Sequence, residues 1–118
     1  MKNFIEAISK KLEVSSELYN NKEYYFLSYS QNGEDSFCRR YFETHSVTNG
    51  CYVDIGAHHP FRYSNTYALY KLGWRGINID AMPGSMVLFE KYRRGDINLE
   101  VGVGKDKGTM PFYIFEEP

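Results

Sequence analysis

Cysteine, proline, histidine and tryptophan are all scarce in these 118 residues, and no apolar run is long enough to cross a bilayer. Two cysteines exclude a disulfide scaffold. Cys38 and Cys51 stand thirteen positions apart, match no metal-ligand spacing and fall in or beside expected core elements, so they read as reduced, buried thiols. Charge of either sign is not in excess: a net charge of -1 supplies no global field for polyanions, which argues against nucleic acid or an anionic membrane as partner. The opening stretch MKNFIEAISKKLEV interrupts its apolar positions with charges every few residues, unlike a signal peptide, and the expectation is a soluble, cytoplasmic protein. Internal repeats and low-complexity segments are absent.

Aromatic residues, in contrast, make up 17% of the chain, with 11 tyrosines, so a core with aromatic walls is expected. The length suits one domain, at the small end for an enzyme that holds both a cofactor and a substrate. Residues 1–27 read as an amphipathic helix and a polar connector, SSELYNNKEYY, forming an N-terminal extension to a domain over 28–118. After Gly33, the run EDSFCRRYFE gathers Phe37, Cys38, Tyr41 and Phe42 on one helical face, with Glu34 and Asp35 in the first turn, and should pack on a sheet.

From residue 51 a strand, turn and helix rhythm repeats. CYVDI is a strand; SNTYALYKL is a helix opened by Ser64 and closed at Gly73; RGINID is a second strand. PGSMVLFEKYRR starts a helix near Pro83 with Met86, Val87, Leu88 and Phe89 as its apolar face, and DINLEVGVG supplies a third strand. KDKG is a turn, and TMPFYIFEEP is a final strand that Pro111 assigns to an edge. Arg93 and Arg94 read as a solvated helix end that complements the dipole, and Trp74 as a packing residue at a strand edge. Alternating strands and helices predict an α/β fold with a mainly parallel, doubly wound sheet, in which ligands bind beyond the carboxyl ends of the strands.

The first strand ends in the loop GAHHP. Gly56 lets the backbone turn sharply and approach a ligand, Asp54 offers a carboxylate to loop amides or a ligand's ammonium group, and Asp80 closes the next strand 24 residues after Gly56. A carboxylate about 20 residues beyond such a glycine is placed to hold ribose hydroxyls. Glu100, or the backbone of Gly102 to Gly104, would flank an adenine. His58 and His59 are weak candidates for a catalytic base; no third ligand of suitable spacing follows them, so no metal site is expected. Positions 58 and 61, where a dinucleotide fingerprint has glycines, hold His58 and Phe61. No pyrophosphate cradle remains, which disfavours a nicotinamide oxidoreductase and favours a cofactor with ribose and adenine but no phosphate, such as S-adenosylmethionine.

The string SQNGED, followed by YVDIGAHHPFRYSNTYALYKLGWRGINIDAMPGSMVLFEKYRRGDINLEVGVG, resembles the FkbM family of S-adenosylmethionine-dependent methyltransferases over residues 28–115. The resemblance implies a Rossmann-like class I methyltransferase fold, a three-layer α/β/α sandwich, acting on a hydroxyl of a sugar, a glycan or another small molecule. It implicates Asp54, Gly56 and Ala57 in the cofactor loop, Asp80 at the ribose, and Gln31, Gly33 and Glu34 near the mouth of the site. Against the full fold the chain reads as truncated after the third strand and one further strand. The first strand would then become an unprotected edge, predicting a homo-oligomer through that edge or marginal stability. The alternative to an enzyme is a non-catalytic Rossmann-like binding or self-association module.

Overall fold

The computed structural model describes residues 27–115. The expected helix and its connector SSELYNNKEYY, within residues 1–26, lie outside the described residues, as do residues 116–118, the end of the expected last strand. In chain order the elements are helix α1 (Glu34–Thr44), strand β1 (Cys51–Ile55), helix α2 (Tyr67–Lys71), strand β2 (Arg75–Asp80), helix α3 (Met86–Tyr92) and strand β3 (Ile97–Glu100). The three strands form a parallel sheet in the order β1-β2-β3.

Register explains which side chains are inside. Tyr52 pairs with Gly76 and Asp54 with Asn78, so these four share one face, together with Asn98, which pairs with Asn78. Gly76 is required there: a Cβ would overlap the ring and carbonyl oxygen of Tyr52. Helices α2 and α3 both cover this face. Tyr52, Leu69 and Trp74 form one buried cluster, with Phe42 and Tyr70 against it, and Ala57, Met86 and Phe89 form a second. Burying a side chain such as Leu69, Met86 or Phe89 stabilises by about 1.5–3 kcal/mol.

The alternate positions carry Val53 and Ile55, opposite Ile77 and Ile79, which in turn face Ile97 and Leu99. Val53 and Ile55 are 60% and 63% exposed, so the described residues form two layers, helices on one side of the sheet.

Local chemistry sets the helix ends. Gly33 adopts φ 91° at the start of α1, and the buried Asp35 accepts hydrogen bonds from the Ser28 and Ser30 hydroxyls at 2.6 and 2.7 Å and the Tyr29 and Ser36 amides at 2.7 and 2.9 Å. Burial works against its charge, but these four donors outweigh it and lower its pKa. Ahead of α2, Ser64 Oγ accepts from the Tyr67 amide at 3.1 Å, and Gly73 closes the helix at φ 100°.

Five expectations need correction. In α3 only Met86 and Phe89 are buried, while Val87 and Leu88, expected on the same apolar face, are exposed. Helix α1 packs against α2 and meets the core chiefly through Phe42, whose ring lies 4.5 Å from that of Trp74, while Phe37 and Tyr41 are exposed. Cys51 is exposed and Cys38 only half-buried, because Cys51 lies on the uncovered face in line with Val53 and Ile55. Residues 109–115 carry no strand: Pro111 has no N–H to donate, and Phe112, Tyr113 and Phe115 stay exposed. Arg93 is not solvated but has no exposed surface.

Candidate functional site at the strand ends

Beyond the carboxyl end of β1 the chain turns at Gly56, with φ 75°, and the amides of Gly56 and Ala57 both donate to the Ile79 carbonyl at 2.9 and 3.0 Å. A Cβ at Gly56 would meet nothing within 4 Å, so it is the backbone angle, not crowding, that asks for glycine. The loop is thereby laid over the end of β2. Asp80 fixes it there: its Oδ2 accepts from the His58 amide and its Oδ1 from the Met82 amide, both at 2.8 Å. One carboxylate thus holds the loops after two neighbouring strands. Glu100, closing β3, accepts from the Gly84 amide at 2.9 Å, and Asp54 accepts from the Thr66 hydroxyl at 2.7 Å.

His58 and Tyr63 adopt φ of 56° and 58°, a left-handed conformation that costs a non-glycine residue about 1–2 kcal/mol. Two such residues in one loop is where strain collects at functional sites. Arg62 Nη2 donates to His58 Nε2 at 3.2 Å, since a guanidinium has no acceptor, so the His58 proton sits on Nδ1. His59 serves the loop itself. Its Nδ1 accepts from the Phe61 and Arg62 amides at 3.1 and 3.0 Å, and burial, with the neighbouring Arg62 and His58, lowers its pKa.

Gly33 and Glu34 belong to the start of α1. Glu34 is held at a pKa of about 2 by hydrogen bonds from its own amide, from the Asn32 amide and side chain, and from Ser30. Gln31 is exposed, and no hydrogen bond joins these three residues to Asp54, Gly56 or Asp80. Their segment reaches the rest of the fold through Tyr29, whose ring meets Tyr67 edge-on at 4.7 Å and whose hydroxyl accepts from Lys71 at 2.9 Å.

Behind the strand ends lies a polar centre that sequence reasoning missed. Arg93 Nε donates to Asp96 Oδ2 at 3.0 Å, Nη1 to the Pro60 carbonyl at 3.1 Å, and Nη2 to the Tyr52 and Thr66 hydroxyls at 2.7 and 2.9 Å. Asp96 also accepts from Tyr52 at 2.6 Å, from Asn78 at 3.0 Å and from the Gly76 amide at 2.9 Å. Burial and the bond to Asp96 push the Tyr52 pKa up, keeping the phenol a donor. The one signal in the sequence was Asn78 between Ile77 and Ile79, an amide in the middle of a strand that needs a buried partner. No group of three or more metal-ligating side chains occurs among the described residues, and no described helix is long and apolar enough to cross a membrane.

A three-stranded parallel sheet whose strands end at a glycine turn and at Asp54, Asp80 and Glu100 makes this an α/β protein, of the kind in which ligands bind beyond the carboxyl ends of the strands. Residues 54–117 match the model of the methyltransferase FkbM domain, so the chain belongs to that family, which points to methyltransferase activity. Neither a curated protein nor a solved structure matches it.

Proposed function

We propose that Asp54, Gly56, Ala57 and Asp80 bind S-adenosylmethionine and that the chain serves methyl transfer to a hydroxyl oxygen of a sugar, a glycan or another small molecule. The observation that carries this reading is Asp80, which stands at the end of β2 with its carboxylate directly against the Gly56 loop. The residues present fit the cofactor. Each Asp80 oxygen is engaged once and keeps a lone pair for a ribose hydroxyl, Asp54 can take the ammonium group, and the space over Gly56 admits close approach. With His58 and Phe61 in place of further glycines, nothing there cradles a pyrophosphate.

When bound, S-adenosylmethionine supplies an electrophilic methyl group on a sulfonium. The chain's part is to align the acceptor and exclude water. A hydroxyl acceptor also needs a proton acceptor, and His58 suits that task better than His59: its Nε2 lone pair is held only by an exposed Arg62 contact, whereas the lone pair of His59 Nδ1 is committed to two amides. Gln31, Gly33 and Glu34 are assigned to the mouth of the site. The same reading takes the fold to be the three-layer class I sandwich, whose second helical layer would cover Val53, Ile55 and their neighbours.

Calorimetric titration tests the reading. Saturable binding of S-adenosylmethionine and S-adenosylhomocysteine, absent with NAD and weakened at least tenfold in Asp80→Ala, is expected. A folded chain that binds neither ligand overturns it.

A further inference from the structure

The Asp54 carboxylate has one hydrogen-bond partner among the described residues, the Thr66 hydroxyl, and that hydroxyl is in turn held by the buried Arg93. A guanidinium only donates, so the Thr66 oxygen must accept from Arg93 and spend its single proton on Asp54. The hydroxyl cannot turn round. The same guanidinium grips the Pro60 carbonyl, four residues beyond Gly56, and its place is fixed by Asp96 and by the ring of Tyr70, 4.7 Å from the guanidinium carbon. Arg93 therefore ties three separate segments together: the end of α3, the loop after β1 and the lead into α2.

Stability alone is a weak reason for such a centre. Desolvating a guanidinium is costly, and replacing buried ion pairs by well-packed apolar residues is often neutral or stabilising. What an apolar centre could not supply is a directed hydroxyl proton at Asp54 and an anchor for the Pro60 carbonyl.

We propose that Thr66 and Arg93 are positioning residues for the cofactor site, a one-way relay from Arg93 through Thr66 that sets the Asp54 carboxylate while the Pro60 bond sets the far end of the Gly56 loop. This rests on the assignment of Asp54 to S-adenosylmethionine. Thr66→Val keeps the shape and removes the relay; Thr66→Ser keeps the hydroxyl and removes the methyl group; Thr66→Ala replaces the first should valine prevent folding.

The test measures affinity for S-adenosylhomocysteine by calorimetry, with thermal melting recorded for every variant. Affinity is expected to fall about tenfold in Thr66→Val and to return to within about twofold of the parent in Thr66→Ser, for loss and retention of one charge-assisted hydrogen bond. In an Asp54→Asn background, Thr66→Val is expected to cost no further affinity, because the relay has lost its target. Parent-like affinity in folded Thr66→Val, an equal loss in Thr66→Ser, or additive losses with Asp54→Asn would overturn the relay while leaving the cofactor reading intact. A parent chain that binds neither S-adenosylmethionine nor its product overturns the cofactor reading and the relay with it.

Discussion

Arg93 shows how far a single residue can depart from its expected place. At the end of a helix an arginine is ordinarily a solvated group near the dipole, but here the guanidinium lies buried among the rings of Tyr52, Tyr70 and Phe89 and beside Asp96. Its partner Asp96 has no exposed side-chain surface either. Removing the cation would leave a buried carboxylate without its counter-charge. Arg93→Met is therefore expected to destabilise the chain by about 3–5 kcal/mol, read as a lowered midpoint in urea unfolding. A midpoint equal to the parent's would mean that Tyr52, Asn78 and the Gly76 amide satisfy Asp96 by themselves.

At the scale of elements, α1 illustrates a helix fixed from one end. Its long apolar side chains are largely exposed, so its position depends on Phe42 and on the Asp35 cap that gathers Ser28, Tyr29 and Ser30 before the first turn. Because the folded-state pKa of Asp35 is lowered, its contribution is complete above the unfolded-chain value of about 3.9 and is lost as pH falls through the folded-state value. Asp35→Ala is expected to cost about 1–2 kcal/mol at pH 7 and to flatten the acid limb of stability against pH, measured by urea unfolding from pH 7 to pH 2.5. An unchanged acid limb would assign that limb to other carboxylates.

At the scale of the whole molecule, the described sheet has helices on one face and an open row of Val53, Ile55, Ile97 and Leu99 on the other, and β1 is an edge strand with unpaired backbone groups. Left uncovered by any further layer, both features favour association of copies through the edge or the face. Sedimentation of the chain is expected to depend on concentration, and Val53→Lys is expected to shift it toward monomer without loss of the three-stranded sheet. A monodisperse parent that melts cooperatively would contradict this.

The amino-acid sequence determined where the three strands of the sheet run and at which of their ends the glycine turn and the acids gather. β1 and β2 fall on CYVDI and RGINID as read, because β-branched and aromatic runs bounded by glycine and polar turns are local signals, and Asp80 meets the Gly56 loop because a parallel crossover returns adjacent strands in the same direction. Side-chain fates that depend on three or four distant segments were decided only in the tertiary structure. Whether Cys51 is covered depends on what packs on a whole sheet face, and whether Arg93 is solvated depends on Tyr52, Thr66 and Pro60, between 27 and 41 residues away along the chain. A local pattern records a residue's own periodicity; burial and hydrogen-bond satisfaction are properties of the elements that fold over it.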